Sequence, residues 1–134
     1  MSQKYAALEV PHREFIAAQH LFFVGSAAAD GLVNVSPKGM DSLRVLGAGR
    51  LVWLNLTGSG NETAAHVLEL PRMTIMFCSF DKQPLILRIY GSAEVIYPDH
   101  PKWPELIRLF PEYTGARQIF DLQIELVQTS CGFA

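Results

Sequence analysis

The most constraining feature of this sequence is the spacing of its apolar runs, which are short and separated by turn-forming residues. Asp30-Gly31 and Gly47-Ala48-Gly49 each stand between two such runs, and glycine at these places allows the positive φ of tight hairpin turns. Apolar runs of this length fit strands better than long helices. We therefore predict strands over 21–27, 32–37, 43–46, 50–56, 73–80, 85–97 and 119–129.

Three further segments predict short helices, over 13–21, 61–70 and 99–110. Ser59 and Glu62 have the spacing of a capping box at the start of the second helix, and Pro71 ends it. Many strands joined by hairpins, with a few short helices, are typical of a mainly β protein. We predict a single domain over residues 1–134, built as an antiparallel β-barrel with an inserted helix. Because residues 131–134 have the pattern of a strand and turn, we expect a C-terminal segment that is missing or very short.

Composition narrows the classes of function. The hydrophobic content of 49% predicts that a subunit interface or a bound cofactor covers part of the apolar surface. A net charge of −2 argues against a broad nucleic-acid surface, and no apolar run reaches the roughly 20 residues of a membrane span. We expect a cytoplasmic protein with no signal peptide, in which Cys78 and Cys131 are buried, reduced thiols. The four histidines lack metal-ligand spacing, so no metal site is predicted.

The strand after the first hairpin carries polar side chains on one face. Because side chains alternate along a strand, Asn34, Ser36 and Lys38 share one side and apolar residues share the other. This pattern fits a ligand-binding strand, and it also fits a strand that faces solvent.

Arg88 stands in an otherwise apolar stretch over 85–90. A buried cation needs an anionic partner, because leaving it unpaired in an apolar environment is very costly. The partner could be a bound anion or a structural carboxylate, and an exposed edge would remove the need for one.

The predicted helix over 61–70 follows Gly58-Ser59-Gly60. Free N–H groups and the helix dipole make a helix N-terminus favourable for anions, and Asn61 and Thr63 add side-chain donors. An ordinary loop before a capped helix has the same sequence. Phosphate-loop, dinucleotide and nucleophile-elbow motifs are absent. An enzyme built on this sequence would therefore take its chemistry from a cofactor.

Five segments in order carry a family resemblance: VNVSPKG at 33–39, LVWLN at 51–55, NETAAH at 61–66, LPRMTIMF at 70–77 and LRIYGSA at 87–93. Together they resemble the FMN-binding split-barrel proteins related to pyridoxamine 5′-phosphate oxidase, over about residues 12–130. The resemblance implies an antiparallel split β-barrel that works as a homodimer, with FMN in a cleft between two protomers.

The resemblance also implies roles for individual residues. The strand over 33–38 passes along the isoalloxazine ring and ends at the FMN phosphate with Lys38, and the next strand contacts the flavin. Asn61-Glu62-Thr63 falls where the oxidases carry a Ser-Arg-Lys run that binds the phosphate. Arg88, reaching over from a neighbouring strand, is the cation that would compensate. The implied cofactor-binding residues are Asn34, Val35, Ser36, Lys38, Trp53, Leu54, Asn61, Thr63 and Arg88.

The function that this resemblance implies is that of a flavin-dependent oxidoreductase acting on a small molecule or an electron donor, with no residue assigned to catalysis. The alternative is a carrier or sensor that holds FMN, haem or a deazaflavin without turnover. Haem would need an axial ligand, for which His66 alone is a weak candidate. The oxidases are longer, with a C-terminal segment that holds the substrate phosphate, whereas this sequence ends at Ala134. We therefore expect the flavin site and not the oxidase reaction itself.

Overall fold

A computed structural model describes residues 2–58, 60–82 and 84–131 of the chain. Ser59, and with it the predicted capping box, lies outside the described residues. In chain order the elements are β1 (Gln3–Tyr5), α1 (Val10–Ala17), β2 (Phe22–Ser26), β3 (Asn34–Lys38), β4 (Leu43–Gly47), β5 (Arg50–Leu56), α2 (Glu62–Glu69), β6 (Arg72–Cys78), β7 (Leu85–Ile96), α3 (Trp103–Ile107) and β8 (Ala116–Cys131).

The strands form one sheet in which every pairing is antiparallel. Its order is β3-β2-β6-β7-β8-β5-β4, and β1 pairs with one end of β8. Although β3 and β4 follow each other in the chain, they form the two ends of this path. We call the opening between β3 and the β4–β5 hairpin the split. The prediction of a mainly β, antiparallel fold with short helices is confirmed.

Two apolar cores hold the sheet, and β5 contributes to both. Its Trp53 points into the larger core, where the indole stacks on Phe120 with ring centroids 4.4 Å apart. Val52 and Leu54 point the other way, into a second core that α3 covers. Burying a side chain of this size stabilises the fold by about 1.5–3 kcal/mol. Both faces of β5 are therefore fixed, and its end is a rigid support for the split.

Several predicted boundaries were wrong. Helix α1 begins at Val10 rather than at residue 13, because Glu9 and His12 form a capping box and a proline occupies the first turn. Helix α3 is shorter than predicted and begins only at Trp103, with a proline in its first turn. Strand β1 was not predicted, because it has three residues and pairs with β8, which is distant in the sequence.

The two thiols differ in exposure, which corrects the expectation that both are buried. Both cysteines are free. Cys78 is partly buried on β6, but Cys131 is exposed because it is the last residue of β8 and pairs only with Leu85 at the end of the sheet.

No helix within the described ranges combines the length and the apolar character that crossing a bilayer requires.

Candidate functional site

The split opens onto a polar cleft of about 370 Å³. Its walls come from the end of β3, the end of β5, the loop before α2 and the first turn of α2. The lining residues are Asn34, Ser36, Pro37, Lys38, Asn55, Leu56, Gly58, Gly60, Asn61, Glu62 and Thr63. Five of the predicted cofactor-binding residues, Asn34, Ser36, Lys38, Asn61 and Thr63, therefore lie around one cleft.

Strand β3 alternates as its sequence predicts. Asn34, Ser36 and Lys38 are partly buried and turn to the cleft, whereas Val35 and Pro37 are exposed on the opposite face and only Pro37 of these two also borders the cleft. The Asn34 amide donates a hydrogen bond to Ser36 Oγ at 2.8 Å. A second, longer contact of 3.5 Å reaches Thr63 Oγ1 on α2. The polar face of β3 is thus tied to the helix across the cleft.

Lys38 reaches across the split at the end of β3. Its Nζ donates to Asn55 Oδ1 at 3.0 Å and lies 5.5 Å from the centroid of the Trp53 ring. Burial lowers the pKa of Lys38, the positive charge of Arg117 lowers it further, and the carboxylate of Glu62 acts in the opposite direction. The positive charge of Lys38 is therefore incompletely compensated, and an anion bound in the cleft would stabilise it.

The first turn of α2 forms the opposite wall. Thr63 is buried, and its Oγ1 accepts a hydrogen bond from Ser26 Oγ at 3.1 Å. His66 Nδ1 lies 3.0 Å from the same Ser26 hydroxyl, so this histidine is a structural partner of β2. Asn61 is the N-cap residue, but its side chain does not cap the helix. The first-turn N–H groups have no carbonyl partner within their own helix.

Arg117, at the start of β8, is a cation that the sequence reading missed. Its two terminal nitrogens donate to the carbonyl oxygens of Gly60, at 3.1 Å, and Gly58, at 3.2 Å. It therefore holds the loop that borders the cleft and brings a second positive charge near Lys38. The predicted last strand began at residue 119, so Arg117 was expected in a loop. Its place beside the cleft depends on the pairing of β8 with β5, which no local sequence pattern indicates.

Arg88 is not brought to the cleft within one chain. Strand β7 is separated from β3 by β6 and β2, so the expectation that Arg88 reaches over from a neighbouring strand is wrong. In register it shares the outward face with Pro37, Phe23 and Met76. Among the described residues no carboxylate lies within ion-pair distance, and its guanidinium donates to Ser130 Oγ at 3.3 Å. Its cofactor-binding role stays a prediction.

Trp53 and Leu54 on β5 are buried on opposite faces of the strand. Trp53 is fully buried beneath the Lys38 ammonium, and Leu54, 2% exposed, lies on the other face against the second core. Neither side chain lines the cleft within one chain. Neither reaches the cleft because successive side chains of β5 point into the two cores. The flavin contact of Trp53 and Leu54 also stays a prediction.

The sequence profile described as pyridoxamine 5′-phosphate oxidase matches residues 8–131. The chain belongs to the pyridoxamine 5′-phosphate oxidase family. A curated relative, the pyridoxamine 5′-phosphate oxidase family protein ustO of Aspergillus flavus, is 40% identical over 134 residues, covering 96% of this chain and 54% of the relative. The chain thus spans about half the length of the curated relative that it matches.

Several solved structures share the split-barrel fold of this chain. A putative pyridoxamine 5′-phosphate oxidase from Lactobacillus delbrueckii superimposes with a TM-score of 0.73 at 23% identity, covering 97% of this chain and 96% of the other. An FMN-binding protein from Syntrophomonas wolfei gives 0.63 at 13%, over 85% and 80% of the two chains. The haem storage protein HutZ from Vibrio cholerae gives 0.65 at 19%, over 93% and 96%. At these identities the likeness shows the fold, and the predicted split barrel is confirmed.

Proposed function

We propose that this member of the family binds FMN, with the phosphate in the cleft at the split, and that it works as a flavin-dependent oxidoreductase on a small molecule or an electron donor. The observation that carries the proposal is the partly buried Lys38 ammonium, whose one direct hydrogen-bond partner among the described residues is a neutral amide, Asn55. A phosphate supplies the charge that such a group lacks.

The donor set of the cleft fits a phosphate. Lys38 is joined by the hydroxyl groups of Ser36 and Thr63, by the amides of Asn34 and Asn61, and by the first-turn N–H groups of α2. Among the described lining residues Glu62 is the one carboxylate, and its side chain is exposed. Lys38 and Arg117 together exceed that single negative charge, so the net field of the cleft favours an anion.

Bound FMN would supply hydride or electron transfer through its isoalloxazine ring. The residues of this chain then hold the phosphate, orient the ring along β3 and limit access of water at the split. No side chain in the described cleft pairs a proton donor with a proton acceptor near an obvious reaction centre. We therefore assign binding roles to Asn34, Ser36, Lys38, Asn61, Thr63 and Arg117, and no catalytic role.

The outward face of the sheet supports a homodimer. Val33 and Val35 are 71% and 65% exposed, and the neighbouring outward positions on β2 and β6 carry the partly exposed Phe23 and Met76. Exposed apolar residues on adjacent strands mark an interaction surface. We infer that a second copy of the chain covers this face, which also carries Arg88, and that the flavin ring lies at the edge of that interface.

Carriage without turnover is the alternative, and the likeness to a haem storage protein makes haem the second ligand to test. The visible spectrum of the purified protein, recorded alone and after addition of FMN or haemin, separates the ligands. A shifted flavin band that is bleached by a nicotinamide donor and restored by oxygen supports the oxidoreductase. A flavin band that no donor bleaches supports a carrier, and uptake of haemin with no uptake of FMN contradicts the proposal.

A further inference from the structure

Three side-chain amides form an unbroken hydrogen-bonded chain behind the cleft. Asn55 Nδ2 donates to Gln118 Oε1 at 2.8 Å, and Gln118 Nε2 donates to Asn61 Oδ1 at 3.1 Å. Asn55 also accepts the hydrogen bond from Lys38 Nζ. Gln118 is fully buried and Asn55 nearly so, whereas Asn61 is exposed at the cleft. The chain therefore connects the ammonium at the split with the start of α2 through the interior of the protein.

The direction of this chain follows from the chemistry of its first member. An ammonium group only donates hydrogen bonds, so Asn55 must turn its oxygen toward Lys38. Its NH₂ group then faces Gln118, which must present an oxygen in return. By the same logic Gln118 presents its NH₂ to Asn61, and Asn61 must present its oxygen inward. Reversing any one amide would place two donors or two acceptors against each other in a buried site, which is unfavourable.

Asn61 is the outer end of the chain, and two consequences follow there. Its oxygen is held by Gln118, which agrees with the finding that this N-cap residue does not cap α2. Its NH₂ group is left to face the cleft, where Asn61 is part of the lining. The cleft therefore receives a hydrogen-bond donor at a position where an asparagine could equally have turned an acceptor.

We propose that Asn55 and Gln118 are positioning residues that transmit the polarity of Lys38 to Asn61, so that the cleft presents a donor to the acceptor oxygens of an anionic ligand group and discriminates against ligands without one. This inference rests on the proposed function in that the anionic group is the FMN phosphate. Neither Asn55 nor Gln118 needs to touch the flavin for the effect, because each acts through the orientation of its neighbour.

Asn55→Asp should reverse the orientation of the Gln118 and Asn61 amides. Its carboxylate accepts from both Lys38 and Gln118, and the adjacent ammonium keeps it ionised. Gln118 must then turn its NH₂ toward position 55 and its oxygen toward Asn61. Asn61 in turn donates inward and shows its oxygen to the cleft. The matched control is the double variant Asn55→Asp/Gln118→Met, which keeps the new charge and breaks the connection to Asn61.

The first readout needs no flavin. In ¹⁵N-labelled apo protein, exchange with water of the side-chain NH₂ groups is measured by NMR. In the wild-type chain we expect rapid exchange for Asn61 and strong protection for Gln118. Asn55→Asp should slow the exchange of Asn61 on the order of tenfold, because its NH₂ gains a buried hydrogen bond, and the double variant should restore the rapid exchange. Protection of Asn61 in the wild-type chain, or an unchanged rate in Asn55→Asp, would overturn the proposal.

The second readout is the affinity for FMN and for riboflavin, which lacks the phosphate. Asn55→Asp should bind FMN about tenfold more weakly than the double variant, while the two bind riboflavin alike. Equal FMN affinity in both variants would show that the added charge, and not the orientation of Asn61, is responsible. If Asn55→Asp does not fold, Asn61→Asp exchanges the donor for an acceptor at an exposed position and should cause the same selective loss of FMN. If the wild-type protein binds neither flavin, the proposed function fails. The exchange rates of the Asn61 and Gln118 NH₂ groups then decide by themselves whether the three amides are oriented as proposed.

Discussion

Lys38 Nζ and Asn55 Oδ1, 3.0 Å apart, join the two sides of the split across the open edge of the sheet. Lys38 ends β3 and Asn55 lies near the end of β5, and these strands are far apart in the order of the sheet. The contact gives an ammonium a neutral partner in a partly buried place. An anionic ligand would be a stronger partner for this ammonium.

Replacing Lys38 with methionine should weaken FMN binding by about ten- to a hundredfold, because a hydrogen bond to a charged group contributes about 1.5–3 kcal/mol. Riboflavin affinity should change by less than about threefold, since the ring makes no ion pair with this residue. The measurement is an equilibrium titration followed by flavin fluorescence. Lys4→Met, on the exposed edge strand β1, is the matched control and should leave both affinities unchanged. Equal losses for the two flavins in Lys38→Met would show that Lys38 does not contact the phosphate.

The lowered pKa of Lys38 predicts a specific pH dependence. Burial and the charge of Arg117 place this pKa below its ordinary value of 10.5. As the pH rises through the lowered pKa, the ammonium loses its proton, so the ratio of FMN affinity to riboflavin affinity should fall before pH 10.5 is reached. Using the ratio removes the ionisation of the ring, which the two ligands share. In Lys38→Met the ratio should be independent of pH over the same range.

The same shift sets the sign of a stability effect. Over the window between the lowered pKa and 10.5, the unfolded chain holds the Lys38 proton more tightly than the folded chain does. The free energy of unfolding of the ligand-free protein should therefore rise with pH in that window, relative to Lys38→Met. Urea titrations at several alkaline pH values check this, and an opposite slope would mean that a partner already raises the pKa of Lys38.

Gly91 should tolerate no side chain. It lies at the bulge where β7 shifts register against β8, and a Cβ atom there would overlap the backbone carbonyl of Gln123. Gly91→Ala should lower the free energy of unfolding by about 1–3 kcal/mol or more, because the sheet must move apart. Gly49→Ala is the control, since a Cβ atom at Gly49 meets nothing within 4 Å. Similar stabilities for the two variants in urea denaturation would refute this account of the bulge.

Substitution of Val35 tests the proposed homodimer. Val35→Glu places a charge on the outward face of β3 and should shift the protein to monomer in analytical ultracentrifugation, with a weaker hold on the flavin ring. Leu68→Glu is matched, because Leu68 on α2 is 69% exposed and Val35 is 65% exposed. Leu68→Glu should leave the mass unchanged. A wild-type chain that is monomeric at every concentration contradicts the interface, whatever the variants do.

The strands and the polar face of β3 could be predicted because both depend on local pattern. Side chains alternate with a period of two, so Lys38 and Ser36 had to share a face once the strand was recognised. Arg117, Gln118 and Asn55 could not be placed in this way. Asn55 and Gln118 are 63 positions apart in the chain, and only the pairing of β5 with β8 brings them together. Arg88 could not be placed either, because the apolar residues around it in the sequence do not indicate which face of the sheet it occupies or which strands separate it from β3.

Helix boundaries, in contrast, depended on local capping and proline signals. Helix α2 was predicted over 61–70 and spans Glu62–Glu69, because a proline follows and marks its end. Helix α1 was placed too late, since the interaction of Glu9 with His12 that begins it pairs residue types that a capping motif does not ordinarily use. No sequence motif predicts the hydrogen-bonded amides of Asn55, Gln118 and Asn61 behind the cleft.

Calorimetric titration of the ligand-free protein with FMN, run in parallel with riboflavin, tests most directly whether the cleft binds the FMN phosphate. We expect one FMN site per chain and an affinity for FMN at least about tenfold higher than for riboflavin, because the phosphate contributes charge-assisted hydrogen bonds. No heat of FMN binding at millimolar concentrations, or equal affinities for the two flavins, would contradict it.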